Sequence, residues 1–240
     1  MTAILEKNRK TRGPVSSAFA MPDPAPLENG EHLTRAEFHR RFVGMPNLKR
    51  AELIEGIVIM GSPVSAAHAN AHGILGGILF QYATNTSGVI YCDNATVRMD
   101  ADNEVQPDGF LRLEPEVGGG SHLTEDGFYE GVPEFIAEVT VSSSSYDFHE
   151  KLNVYRRNGV REYLIWQPSV RRLEWLKHRE GEYVPMPVRP DGLICSEVFP
   201  GLWIDAEALV AGNVRKVLTR LQKGFSSAAH GEFVRRIRRK

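Results

Sequence analysis

Residues 135–168, FIAEVTVSSSSYDFHEKLNVYRRNGVREYLIWQP, decide the fold. Phe135-Ile136-Ala137 and Val139-Thr140-Val141 make a β-rich run with Glu138 in its middle. The serines from Ser142 to Ser145 break that run. Asp147 then offers an N-cap side chain, and Phe148, Leu152 and Tyr155 fall on one helical face. Asn158-Gly159 supplies the C-terminal stop, and Val160 to Trp166 is a second β-rich run. Strand, helix and strand in this order make a βαβ unit, whose strands run parallel through a right-handed crossover. An ionised carboxylate inside such a strand is costly to bury unless a positive group meets it, so Glu138 needs a partner.

Upstream, residues 51–60 (AELIEGIVIM) place strand residues on both sides of Glu55-Gly56 and predict a tight hairpin. Glu52 and Glu55 flank its first strand; taken alone, they read as surface charges. Thr34-Arg35-Ala36-Glu37 is a capping-box pattern, followed by Phe38 and Phe42 on one face of a short helix that Met45-Pro46-Asn47 ends. Ser65 can cap a longer helix in which Ala71, Leu75, Ile78, Leu79 and Tyr82 recur at helical spacing. Gly73, Gly76 and Gly77 weaken that helix by roughly 1 kcal/mol each against Ala, and suit a close approach to a sheet. His68 and His72 share one helical face. HANAH has no acid between them and no third ligand nearby, which argues against a zincin-type site and for a hydrogen-bonding His68 at the helix start.

Val89 to Cys92 and Ala95 to Met99 read as strands joined through Asp93-Asn94. In Val105-Gln106-Pro107-Asp108-Gly109-Phe110-Leu111 a second carboxylate, Asp108, stands in an apolar, strand-like context. Pro107 has no N–H for a ladder, so the strand begins or bulges there. Gly118-Gly119-Gly120 lacks the lysine and spacing of a phosphate-binding loop and reads as a mobile surface loop. Downstream, 172–177 and 181–184 predict an antiparallel pair, 192–199 a further short strand, 200–205 the close of the sheet region and 210–221 a helix.

The ends differ in character from the middle. Residues 1–30 are Pro-rich towards their end and without period, and read as a disordered tail before an ordered domain at 31–222. The first of them lack the apolar core of a signal peptide; Lys7, Arg9, Lys10 and Arg12 fit at most an amphipathic transit segment. Residues 223–240 read as a basic tail, ending Arg235-Arg236-Ile237-Arg238-Arg239-Lys240, which is either solvated or a phosphate-contacting extension.

A formal net charge of -1 gives no global electrostatic case for a nucleic-acid partner, so only local patches can make one. No apolar run approaches the roughly 18 residues of a membrane-spanning helix. Cys92 and Cys195 lie far apart without metal-type spacing, and are expected to be reduced, buried thiols of a cytoplasmic protein.

The chemistry rests on Asp108, Glu138 and Lys151. Two strand-borne carboxylates that converge on one edge suit a hard divalent cation such as Mg²⁺, which takes oxygen ligands and keeps several waters. Such an ion polarises a phosphoryl oxygen and acidifies a bound water. A lysine beside it can hold that water or stabilise charge developing at phosphorus. The bland alternative is that Asp147 and Lys151, four apart, form an ordinary exposed helix pair.

These pieces, in order, resemble the Uma2 family, a restriction-endonuclease-like branch of the PD-(D/E)XK nuclease superfamily. The resemblance runs from about Glu52 to Asp205. It is carried by Glu52-Leu53-Ile54-Glu55-Gly56, Ser62-Pro63 with His68, Gln106-Pro107-Asp108, Glu138-Val139, Asp147 with Lys151, Tyr155, Gly159-Val160, Glu162-Tyr163 and Pro200-Gly201-Leu202. It implies Asp108 as the motif Asp and Glu138 as the second acid. Where the usual motif has Lys two residues after that acid, this chain has Thr140, and Lys151 on the following helix takes its place. Glu52 matches the early acid, an accessory metal or water ligand; His68 and Gln106 match further positions without an assigned role.

The expectation is an α/β fold with a restriction endonuclease-like core: a mixed central β-sheet flanked by helices, with additional β-hairpins. The expected activity is Mg²⁺- or Mn²⁺-dependent hydrolysis of DNA phosphodiesters, with Asp108 and Glu138 as metal ligands and Lys151 and Glu52 assisting. A homodimer is expected by analogy with enzymes that cut both strands. Two rivals stand beside it: a non-catalytic nuclease-fold module that binds DNA or protein, and a hydrolase of RNA or another phosphate ester.

Overall fold

The computed structural model describes residues 24–140 and 146–238, with the backbone alone for 146–148. Helix α1 (Arg35–Val43) starts where the Thr34 hydroxyl accepts the Glu37 N–H at 3.4 Å, and buries Phe38 and Phe42. Strands β1 (Ala51–Ile54) and β2 (Ile57–Met60) form the expected hairpin, turning through Glu55 and Gly56 at positive φ. Helix α2 (Ala66–Thr84) is capped by Ser65 and followed by β3 (Val89–Asp93), β4 (Val97–Arg98), β5 (Glu104–Val105), β6 (Gly109–Leu113), β7 (Ser121–Leu123), β8 (Tyr129–Gly131) and β9 (Phe135–Val139). Then come α3 (Tyr146–Arg157), β10 (Glu162–Gln167), β11 (Arg172–Arg179), β12 (Glu182–Pro185), β13 (Leu193–Cys195) and β14 (Trp203–Asp205). The chain closes with α4 (Ala206–Val210), α5 (Val214–Phe225) and α6 (Ala228–Ile237).

The opening unit folds as its pattern requires. β9 and β10 pair in parallel, with Ile165 opposite Glu138, and β11 and β12 extend the sheet antiparallel. The central sheet has the order β12-β11-β10-β9-β6-β3. A second six-stranded sheet, β2-β1-β5-β4-β8-β7, was not foreseen, and β13-β14 form a small third sheet. Of the chain's passages between the large sheets, one lies at 94–96 and a second at 106–108. Pro107 stands in the second passage, where a residue without an N–H breaks no ladder. β4 lies within the strand read at 95–99 but pairs in the second sheet rather than beside β3, and β5 has two residues, too few for alternation to announce it.

Alternation along the central sheet sorts its two faces. Leu111, Phe135, Ala137, Val139, Leu164 and Trp166 pack with α2 and the C-terminal helices. Phe110, Ile136, Tyr163 and Ile165 pack with Val154 and Tyr155 of α3. Glu138 shares the parity of Ile136, and Asp108 that of Phe110, so both acids face the α3 side. On β1 the same rule sends Ala51 and Leu53 to the α1 cluster and Ile54, with Glu52, to the central one.

Several boundaries differ from the sequence reading. The first 23 residues lie outside the described ones, but the 1–30 tail is ordered by its end: Leu27 is buried with Phe38 and Phe42, and Gly30 N–H donates to Val58 O at 2.8 Å. α3 begins at Tyr146, so Asp147 is inside the helix rather than at its cap; the serine turn at 141–145 and the Asp147 side chain fall outside the description. The 118–120 glycines are packed rather than loose. A Cβ on Gly119 would stand 2.0 Å from the Leu113 carbonyl oxygen, and Gly120 N–H donates to Glu134 Oε1 at 2.7 Å. The 210–221 helix is interrupted, and Asn213 caps α5. The described part of the basic tail, 223–238, is largely helical and buries His230, Phe233 and Ile237 at helical spacing beneath its arginines. Cys195 is half-buried. Among the described residues no helix is long and apolar enough to cross a membrane.

Glu162, at the start of β10, fastens the C-terminal turn. It accepts from Trp175 Nε1 at 3.1 Å, Ser196 Oγ at 2.8 Å, and the N–H groups of Glu197 and Val198 at 2.7 and 3.0 Å. Glu162→Ala strands these buried donors and is expected to cost about 3–5 kcal/mol in denaturant unfolding, with Glu162→Gln costing clearly less. Equal, small losses in both variants would contradict this role.

Candidate active site

Asp108 and Glu138 are neighbours because β6 and β9 are. The last antiparallel pair is Gly109 with Ala137; one step further, Asp108 comes opposite Glu138. Asp108 N–H donates to Glu138 Oε2 at 3.4 Å, and Val139 N–H to Asp108 Oδ2 at 2.9 Å. Glu52 arrives from the second sheet; its Oε1 accepts the Gln106 N–H at 2.7 Å. Lys151 reaches across from α3, and its ammonium lies 2.9 Å from both Glu52 Oε1 and Glu138 Oε1. Tyr155, one turn on, donates its hydroxyl to the same Glu138 oxygen at 2.8 Å.

Lys151 is therefore buried between two carboxylates, not an exposed partner of Asp147, and Glu52 is buried rather than solvated. Gln106 contributes through its backbone; its side-chain amide turns away to Thr96 Oγ1 at 3.0 Å. His68 takes the hydrogen-bonding role expected of it, with Nε2 3.2 Å from Asp108 Oδ2. His72 Nε2 lies 2.8 Å from both the Asp108 carbonyl oxygen and Asp93 Oδ1. Arg50 was missed. It stands two residues before Glu52, hence on the same side of an extended segment, and reaches Asp108 Oδ1 and the Gln106 carbonyl at 3.3 Å.

Arg50, Glu52, His68, Asp108, Glu138 and Lys151 line a cavity of about 490 Å³. Burial raises the Asp108 pKa, but His68, the Val139 N–H, Arg50 and Lys151 outweigh it and hold the carboxyl below its ordinary range. Burial pushes Glu138 up; Lys151 opposes this, while Asp108 and Glu52 add to it. Burial works against charge on Lys151, yet Glu138 and Glu52 prevail and hold its pKa above the ordinary lysine value. The bond to Asp108 raises His68 against the cost of its burial. Three acids thus meet Lys151, Arg50 and a histidine biased towards its charged form, and the buried charges balance.

The donor set suits a hard divalent cation. Its acids offer oxygens only, and two of these are held by long contacts: Asp108 Oδ1, 3.3 Å from Arg50, and Glu138 Oε2, 3.4 Å from an N–H. Among the described residues no three His, Cys, Asp or Glu side chains form a metal cage. Two carboxylates would leave the remaining positions to water and phosphate oxygens, as Mg²⁺ commonly has them.

A family described as "Uma2: Putative restriction endonuclease" matches residues 35–207. The chain belongs to this family. The match takes in both sheets' site residues and ends just inside α4. A solved structure described as a putative nuclease belonging to DUF820, from Anabaena variabilis ATCC 29413, is 14% identical and superimposes with a TM-score of 0.55. The likeness covers 71% of this chain and 97% of that one, and shows that this Uma2 member shares its fold. No curated protein matches the chain.

Two outcomes follow from the charge balance. Lys151→Ala leaves Glu52 and Glu138 facing each other without a cation, and is expected to lower stability by about 3–5 kcal/mol at neutral pH; a neutral result would contradict the balance. Folding raises the His68 pKa, so its ion pair contributes fully below the ordinary imidazole range and is lost as pH rises through the raised value. In an NMR titration, Asp108→Asn should bring the His68 midpoint down; an unmoved midpoint would show that Asp108 is not its cause.

Proposed function

We propose that this Uma2 member is a divalent-metal-dependent endonuclease that hydrolyses phosphodiesters in DNA. The observation that carries the reading is the convergence of Asp108, Glu138 and Lys151, from two adjacent strands and a helix, in one cavity of a nuclease-like fold. Asp108 and Glu138 would hold Mg²⁺ or Mn²⁺, which supplies Lewis-acid stabilisation of the phosphoryl oxygens and a more acidic water. Lys151 stays protonated at neutral pH, so it acts as a charge and hydrogen-bond donor towards the water or the phosphorus centre, not as a general base. Tyr155 fixes the Glu138 carboxylate from behind. Glu52 anchors Lys151 and the Gln106 backbone, which makes it an accessory group. Arg50, about a third exposed at the cavity mouth, is placed to meet a non-bridging phosphate oxygen. A homodimer would give two such sites, one for each strand of a duplex, and a cytoplasmic setting suits that substrate.

One observation favours the non-catalytic reading. Arg50, His68 and Lys151 already neutralise the acids, so the cavity needs no ion for charge balance.

The deciding assay is cleavage of supercoiled plasmid with added Mn²⁺, with EDTA controls. Wild type should cut, Asp108→Ala should not, and Lys151→Ala should lose roughly 10²–10³-fold in rate while remaining metal-dependent. A folded wild type that leaves DNA intact, or an Asp108→Ala variant that cuts as well, overturns the reading.

A further inference from the structure

The chain's charge is unevenly divided. From residue 213 onward there are nine Lys and Arg against one acid, Glu232, although the whole chain carries -1. The remainder therefore carries -9. This basic segment forms α5 and α6, beyond the residues that match the family. Each helix buries an apolar face: Val217, Leu221 and Gly224 in α5, and His230, Phe233 and Ile237 in α6. The cations are left on the outside. Arg215, Lys223, Arg235, Arg236 and Arg238 are exposed, and among the described residues none has a carboxylate at ion-pair distance. Elsewhere surface cations are commonly paired, as Arg40 is with Glu37, Arg156 with Glu182 and Arg157 with Glu55. Among the described residues of this segment, Lys216 and Arg220 alone lean on an acid, the buried Asp205.

Helix α2 connects this surface to the active site. Its first turn carries His68, beside Asp108. Just past its last turn, Thr86 Oγ1 lies 3.0 Å from His230 Nε2 of α6. The 19 residues of α2 span roughly 28 Å at about 1.5 Å per residue, or some eight base pairs at about 3.4 Å each. The helix contains no Asp, Glu, Lys or Arg, so its exposed face puts no negative charge between the two ends. A second cavity, about 520 Å³, runs along it from Arg50 and His68 to Phe80.

We propose that the outer faces of α5 and α6 are a docking surface for the phosphate backbone of duplex DNA, holding the duplex about one α2 length from the scissile phosphate. The choice of partner rests on the phosphodiesterase reading. The surface itself favours a phosphate backbone over a lipid bilayer, because no large apolar side chain is exposed on either helix to enter a membrane. Neutralising phosphates releases counterions, so the contribution of these arginines must weaken as salt rises.

The test is fluorescence anisotropy of a labelled 20-base-pair duplex in EDTA, across a salt series. It uses full-length wild type, the charge reversal Arg235→Glu/Arg236→Glu/Arg238→Glu and the neutral Arg235→Gln/Arg236→Gln/Arg238→Gln. Circular dichroism establishes that each is folded. The reversal should weaken binding by at least about tenfold near 0.1 M salt and flatten the log–log salt slope by roughly 2–3. The Gln set should fall between the two. Undiminished binding by either folded arginine variant overturns the proposal. So does a wild type that binds anionic phosphatidylserine vesicles but not the duplex. Binding is read without metal or turnover, so a protein that binds through α6 yet never cuts would fail the nuclease reading alone.

Discussion

The burial of one ammonium group between two carboxylates holds the two sheets in their working relation. Lys151 comes from the helix between β9 and β10, Glu138 from the central sheet, and Glu52 from the second sheet. A buried charge of either sign is expensive alone, and three together persist only when geometry and additional hydrogen bonds compensate. Here they do: Tyr155 O–H and the Gln106 N–H complete the shells of Glu138 and Glu52. The site is thus also a structural joint. Substitutions in it will report on stability and on chemistry at once, and the two readouts have to be separated.

The acids reach this joint through simple rules of strand geometry. Asp108 lies one residue before β6, where the chain leaves one sheet for the other, and antiparallel register sets it against Glu138. Alternation then turns both to the side that α3 covers. That side is mostly apolar, with Phe110, Ile136, Tyr155 and Tyr163 around it. Low polarity strengthens every charge interaction within it and makes an unpaired acid costly. The same burial that raises the Glu138 pKa makes the Lys151 bond valuable, and Asp108, with more donors around it, stays ionised.

How much of this was legible in the residues varied with the length of the signal. The βαβ unit, the β1–β2 hairpin and α2 were plain, because each repeats its period long enough to be read. A carboxylate inside an apolar run marked both Asp108 and Glu138. Arg50 was missed: alternation puts it on the same side as Glu52, but a single basic residue ahead of a strand is a weak sign. The second sheet was hidden because β5 has only two residues, and because the strand read at 95–99 pairs away from β3, which pattern cannot resolve. Glu52 looked solvated because its burial is tertiary: α3 and the 106–108 passage cover it. Arginine density concealed the helical spacing of His230, Phe233 and Ile237, and so a packed helix looked like a tail.

The proposed divalent-cation site of Asp108 and Glu138, held in register by Lys151, can be read without turnover. It is tested most directly by electron paramagnetic resonance of Mn²⁺ titrated into the protein in the absence of DNA, with Asp108→Asn and Glu138→Gln beside wild type. Wild type is expected to bind a fraction of the Mn²⁺ that either substitution removes, with the fold retained. Mn²⁺ that stays entirely free with wild type, or that binds the two variants equally well, would contradict it.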